Sequence, residues 1–385
     1  MTRNKAIVFI ITTLTLCIIL LSIVGCVKSE PENNYLLGDG KSMPLYTLCL
    51  LDDGYIYFDL RDKSDVPYYR YYFEDDRTIE LGRVPRYMLS GNSEALIDNI
   101  YYFFVGVFNE NQEFMNVLYA INLEENTFYP VMTDTEHVFI ESCSYKNRYI
   151  VALLGSSDGN NVYTSYLSLF DTQTKQFINK SEAFSFDEIT RADGRSVGGF
   201  CTFKDYIYVF VNDTLLDDSV DGDGFIHNDV IHVYDFDFNL VQVIGLGEAH
   251  DALTKYWSVK MKVLDNNLIY VRNFSRYSVI GIIEDDLIKP LLLNDGDDRM
   301  DIDMSDYGLN EPPILFARYT NNIFTIDTKT QSVNKIELDI KDGFHIIYMM
   351  TSDENSVLIL MGENGYESIT YYVPNEKLSE LEFGY

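Results

Sequence analysis

The chain has 385 residues, 60 of them acidic and 29 basic, for a formal charge of −31. With 46% apolar and 14% aromatic residues it has enough apolar area to offset the entropy of ordering, which excludes an acidic disordered tail. A negative charge this large excludes a nucleic-acid partner, because the phosphate backbone would be repelled over the whole surface.

Residues 1–26 read as an address. Arg3 and Lys5 make a basic start, and Ala6 to Val24 carries no charge, the two parts of a secretory signal. The run ends in Ile23-Val24-Gly25-Cys26, which resembles the lipobox of bacterial lipoproteins. The resemblance implies cleavage before Cys26, a diacylglyceryl group on its thiol, and a body held at the cell membrane on the extracytoplasmic side. An uncleaved signal-anchor helix is the alternative, since an apolar run of ~20 residues spans a bilayer. The basic start places the body outside in either case. Loss of residues 1–25 removes Arg3 and Lys5 and no acid, taking the charge from −31 to −33. Anionic headgroups repel such a body, so membrane attachment falls to the anchor. Residues 26–43 are polar, with Pro, Gly and Asn, and form a tether. Residues 44–385 are then the folded body.

Beyond the signal and Cys26 there are three cysteines, Cys49, Cys143 and Cys201. None has a metal-binding spacing. Each precedes a similar strand (GYIY, RYIV, DYIY), so the spacing predicts three buried thiols in equivalent places of a repeat, too far apart for a disulfide.

Two signals recur along the body. A turn followed by an aliphatic-aromatic strand is marked by Ile56, Ile100, Ile150, Ile207, Ile269, Ile314 and Val357. A strand, polar turn and second strand are marked by Glu74, Glu124, Asp171, Asp235, Glu284, Asp327 and Asn375. The two ladders interleave, and a period near 50 with four short strands per unit predicts the blades of a β-propeller. A single blade cannot bury its two apolar faces, so blades must stack. The 30 Tyr and 24 Phe suit the gaps between them. The rhythm and turns such as Asp171-Thr-Gln-Thr-Lys175 and Asp327-Thr-Lys-Thr-Gln331 resemble the kelch, quinoprotein-like and TolB-like propellers as a class. The double-Gly mark of kelch does not recur from unit to unit, and Trp257 is the single Trp. The expected fold is therefore all-β, a propeller of seven four-stranded blades, with a pair of β-sandwiches as the alternative. In the sixth unit the innermost strand has to be Met300–Met304, inside an acidic run.

In an up-and-down blade, the links from second to third strand share a face with the links between blades. The long segments Asn212–Asp229, Glu182–Gly198 and Asn294–Pro313 fall there, and long loops on a rigid scaffold carry binding. The first contains Asp217-x-Ser219-x-Asp221-Gly222, which matches the first half of a calcium loop, with Asp223 and Asp229 as further oxygen ligands. Position 12 is Asn228 instead of Glu, with Asp229 beside it, so a bound Ca²⁺ competes with a plain solvated acidic loop. A second acidic loop holds Asp295, Asp297, Asp298, Asp301 and Asp303 in no recognised spacing. The five histidines, His137, His227, His232, His250 and His345, all fall toward this face, and His227 with Asp223 or Asp229 offers a transition-metal pair. Tyr256 and Trp257 could stack on a sugar ring or pack between blades. No HExxH, P-loop or GxGxxG motif is present.

These readings make the protein a lipid-anchored extracytoplasmic binding module. Its partner is a protein, peptide or glycan, a cationic one suiting the charge best. A carboxylate-based glycan hydrolase or lyase on the same fold is the alternative, as is a structural component of envelope assembly.

Overall fold

The computed structural model describes residues 47–51, 53–58, 65–85, 87–108, 114–134, 138–145, 148–157, 163–181, 184–185, 194–217, 224–247, 249–251, 259–264, 266–273, 277–284, 287–295, 303–304, 306–307, 315–319, 322–327, 329–338, 340, 343–351, 355–362 and 368–380. The signal, Cys26 and the tether lie outside them, as do His137, Tyr256, Trp257 and residues 218–223.

The body is a β-propeller, built from successive antiparallel sheets in chain order. The first sheet is β1 (Thr47–Leu51), β2 (Gly54–Phe58), β3 (Asp65–Tyr72) and β4 (Arg77–Pro85). The second is β5 (Tyr87–Ile97), β6 (Ile100–Phe108), β7 (Phe114–Asn122) and β8 (Thr127–Asp134). The third is β9 (Val138–Tyr145), β10 (Tyr149–Ser157), β11 (Tyr163–Asp171) and β12 (Gln176–Lys180), with the two-residue β13 (Phe184–Ser185) on β11. One parallel bridge, Ser93 to Ser142, joins β5 to β9.

The fourth sheet is larger. It holds β14 (Gly194–Phe203), β15 (Tyr206–Asp217), β16 (Gly224–His227), β17 (Val230–Tyr234), β18 (Leu240–Gly245) and β19 (Ala249–Asp251). The fifth is β20 (Val259–Leu264), β21 (Asn267–Asn273), β22 (Tyr277–Glu284) and β23 (Leu287–Asp295). The sixth takes β24 (Asp303–Met304), skips β25 (Asp306–Tyr307), and continues with β26 (Leu315–Tyr319), β27 (Asn322–Asp327) and β28 (Ser332–Glu337). β25 instead lies parallel to β29 (Phe344–Thr351), which opens the seventh sheet with β30 (Asn355–Gly362) and β31 (Ser368–Pro374).

Neighbouring sheets pack face to face, because each buries alternate residues on both sides. Ile56, Tyr68, Phe103 and Ile121 fill the first gap, and Phe104, Leu118, Ile150 and Phe170 the second. Leu153, Leu167, Ile207 and Val209 fill the third. Phe210, Ile231, Leu268 and Tyr270 fill the fourth, and Ile323, Leu358 and Tyr371 lie between the last two sheets. Leu50 and Tyr55 of the first sheet meet Val357 of the seventh, and Phe73 stacks on Tyr372 at 3.9 Å between ring centroids. The first and last sheets thus meet by side-chain packing, with no strand exchanged between those two among the described residues.

Two expectations need correction. The seventh unit reads as strand, turn, strand in the sequence, but a 3₁₀ helix (Asn375–Glu380) follows β31, burying Leu378 completely. Pro374 ends the strand, and a two-turn helix seats Leu378 in the gap where a fourth strand would stand. The innermost strand expected at Met300–Met304 is present at Asp303–Met304, paired to Arg318 and Ala317, and residues 300–302 lie outside the described residues. The segment Asn212–Asp229 is no open loop, since most of it adds strands to the fourth sheet. The thiols of Cys49 and Cys201 are buried, and Cys49, Cys143 and Cys201 stand in β1, β9 and β14, the first strands of their sheets. The Cys143 side chain is outside the described set.

Candidate functional site

The two faces of the ring are built differently. On one face the short links from first to second strand meet the four-residue turns from third to fourth. Phe73 N–H donates to Asp53 O at 2.9 Å, Leu123 to Asn99 at 2.9 Å and Thr172 to Arg148 at 3.1 Å, the same tie in three successive sheets. The last turn residues Asp76, Asn126, Lys175 and Gln331 have φ between 50° and 59°, the left-handed conformation that Asn and Asp tolerate best. Arg148 grips the buried Asp171 with two bonds, Nε to Oδ1 at 2.9 Å and Nη2 to Oδ2 at 2.5 Å, and holds that carboxyl well below its usual range. Arg70, 7% exposed, donates to Leu123 O at 2.5 Å, Asn126 Oδ1 at 2.8 Å and the Asp53 carboxylate at 3.0 Å. It joins the first two sheets. Glu284 takes a bond from Lys289 and another from Gln331 Nε2 at 3.4 Å, linking the fifth sheet to the sixth.

On the opposite face the fourth sheet grows outward. β15 is twice as long as the blade needs: residues 207–211 pair with β17, while Thr214–Asp217 pair with Gly224–His227 of β16. Thr214 and Leu215 pair with His227 and Ile226, and Ile226 in turn faces His250 of β19. Gly194–Ser196 of β14 completes this annex on the inner side. The sequence allows it because DTLLD and GFIH carry apolar residues in strand spacing on either side of the acidic tip.

The annex is fastened by a buried ion pair. Asp229 is 1% exposed and Arg272, at the end of β21, 6%; Arg272 Nη2 donates to Asp229 Oδ2 at 2.7 Å. Arg272 Nη1 also reaches Leu246 O at 3.3 Å, and Leu246 N–H donates to Asp229 O at 3.0 Å. Three segments therefore converge on one charge pair: the end of the annex, the link from fourth to fifth sheet, and the second strand of the fifth. His227, wholly buried, sits two residues from Asp229. In β17 the ring of His232 lies 3.1 Å (Nδ1) from Tyr234 Oη. Burial lowers the His232 pKa and pushes the Tyr234 hydroxyl up to about 12, so both are neutral near pH 7.

Of the sequence-derived ligand set, only Asp229 has a described side chain, and it faces Arg272. Asp217 ends β15 with its side chain outside the described set, and Ser219, Asp221 and Asp223 lie in the undescribed tip. Among the described residues no group of three or more His, Cys, Asp or Glu side chains is gathered to hold a metal. His345 is the second residue of β29, His232 and His250 are the central residues of β17 and β19, and His227 ends β16.

Sequence reasoning missed Arg272. Its signal is a lone arginine ending an otherwise apolar strand, NLIYVRN. It also missed a run of buried polar residues near the start of third strands, Asn116 in β7, Ser165 in β11 and Ser278 in β22. Each follows an aromatic residue by one or two positions, a spacing that is visible only once the strands are aligned.

No family model matches the chain, and comparison with curated proteins gives no match. Solved structures do match in fold. The β-propeller domain of Cps50 (Swd1) from Myceliophteria thermophila is similar at a TM-score of 0.50 and 9% identity, over 88% of this chain and 99% of that one. An oligogalacturonate lyase from Vibrio parahaemolyticus has a TM-score of 0.48 and 11% identity over 89% and 92%. The propeller domain of the Trilobed protease from Pyrococcus furiosus has 0.47 and 12% over 86% and 94%. At 9% identity the likeness to the Cps50 domain shows the propeller fold and nothing of the activity.

Proposed function

We propose that this chain is a seven-bladed propeller, lipid-anchored at Cys26 on the extracytoplasmic side of a bacterial membrane, that binds a protein, peptide or glycan through its annex face. The observation that carries the reading is the annex itself. Extra strands are built on that face, and a buried charge pair ties them to the ring, while the other face is trimmed to tight turns. Rigid support beneath an elaborated connection is how scaffolds present binding loops. The anchor is supported by the lipobox resemblance and by the strong negative charge, which leaves the surface no affinity of its own for anionic lipid.

A photo-crosslinking amino acid at Ser219 or Asp221, in cells that make the protein, is expected to give a discrete adduct. The same group at Gln173 or Lys329 on the turn face should give none. Adducts of equal yield from both faces reject the reading, and release of a small sugar product at the annex replaces it with the enzymatic one. Cys26→Ala is expected to abolish incorporation of a labelled fatty acid into the protein. The calcium reading of the tip now rests on Asp217, Ser219, Asp221 and Asp223, because Asp229 is taken by Arg272. Melting temperature that is unmoved by millimolar Ca²⁺ rejects it.

A further inference from the structure

The outer strand of each sheet leaves one row of backbone N–H and C=O groups facing solvent, an invitation to any extended chain. Most outer strands here carry residues that discourage such pairing. β4 has Arg77, Glu80, Arg83 and Pro85, and β8 has Pro130 and Asp134. β12 has Lys180, β23 has Lys289, Pro290 and Asp295, and β28 has Lys335 and Glu337. β18 reads Leu-Val-Gln-Val-Ile-Gly, with no charge and no proline.

Its side chains are uncovered as well. The first five outer strands each hold one extra residue opposite the third strand, at Leu81, Val131, Ile178, Val241 and Leu291. Leu81 and Val131 tuck against the cores of their gaps. Val241 is instead 53% exposed, with Leu240 at 51% and Val243 at 49% beside it. The bulge at Val241 lies near one end of the strand. From Gln242 to Gly245 the ladder with β17 is regular, so the outer edge there is straight enough to template a partner.

We propose that β18 is a docking edge, to which an extended segment of another protein adds as a further strand, its aliphatic side chains covering Val241 and Val243 and its flanks carrying lysine or arginine. The pairing mode is strand addition, in which backbone bonds supply affinity and alternate side chains supply selectivity. The basic flanks follow from charge: the chain carries −31, and the turn that leads into β18 presents Asp235 and exposed Asp237. The same charge opposes a second copy of this chain, which would bring two strongly negative bodies edge to edge. This surface lies on the perimeter, apart from the annex face.

The test uses the full-length chain in detergent and a labelled eight-residue peptide of alternating valine and threonine with a lysine at each end. Saturable binding is expected in fluorescence anisotropy, weaker by tenfold or more when glutamates replace the terminal lysines. Val243→Lys should weaken binding by tenfold or more while melting stays within about 2 °C of the parent, the range for an exposed substitution. Ile178→Lys, an equally exposed site on β12, should bind like the parent and controls for a general effect of added charge. The proposal is overturned by absence of saturable binding, by equal affinity for the two peptides, or by unchanged binding in Val243→Lys. A concentration-dependent dimer abolished by Val243→Lys overturns it in favour of self-association.

Discussion

At the turn face, Asp53, Asn99 and Arg148 accept the same backbone bond in three consecutive sheets, and the ionic contacts there (Arg70 with Asp53, Arg77 with Asp75, Lys289 with Glu284) have at least one partner half-open to water. At the annex face, Asp229 and Arg272 are both sealed from solvent, with side chains 0% and 7% exposed. The turn face thus repeats one backbone tie from sheet to sheet, while the annex, paired strand to strand, is joined to the fifth sheet by a buried ion pair. A repeated tie can weaken in one sheet without loss of the ring. Removing one member of a buried charge pair costs more, since the desolvation of the other is then less fully offset.

The sharpest way to break this comparison is Arg272→Ala, which takes the guanidinium away from the buried Asp229 carboxylate. It is expected to cost about 3–5 kcal/mol in urea unfolding, with the double change Arg272→Met, Asp229→Leu recovering most of the loss. A cost below 1 kcal/mol in the single variant would show that the annex is not fastened there. Arg70→Ala, at the turn face, should cost less, about 1–3 kcal/mol, since the Leu123 carbonyl and Asn126 lie closer to water. An equal cost for the two arginines would erase the distinction between the faces.

A third prediction concerns acid. Arg148 depresses the Asp171 carboxyl in the folded state, so its contribution is present above the unfolded carboxylate value of about 3.9 and is lost as pH falls toward the folded one. The gap in melting temperature between the parent and Asp171→Asn should therefore be constant above about pH 5 and narrow below about pH 4. A gap that widens on acidification rejects the pair as drawn. The smallest effect is expected at the tip. Replacement of residues 218–223 by Asn-Gly, the two-residue turn that antiparallel strands favour, should change stability in urea unfolding by about 0.5 kcal/mol or less.

Much of the architecture was legible because strand repeats write themselves into composition. Ile56, Ile100, Ile150, Ile207 and Ile269 each fall in the second strand of a sheet. Glu74 and Glu124 fall in tight turns between third and fourth strands, and Asp171 and Asp327 end third strands. The signal failed where periodicity alone had to separate a loop from a strand pair. DTLLD and GFIH flank an acidic tip and read as a loop, although the strands on either side of the tip pair in register. It failed again at Asn375–Glu380, where a short polar stretch after Pro374 forms a 3₁₀ turn that no hydrophobic period distinguishes from a turn and strand.

By itself the sequence determined the strand rhythm, the places of the tight turns and the shared positions of the three cysteines, since each rests on local spacing and residue type. Only the tertiary structure decided that Asp229, singled out as a cation ligand, is the anion of a buried pair with Arg272, 43 residues away. It alone decided that β18 is the outer strand left without charge or proline at the rim. Both facts concern which surfaces meet when neighbouring sheets pack, and the energy of burying a charge or leaving an edge open depends on those neighbours and not on the residues beside it in the chain.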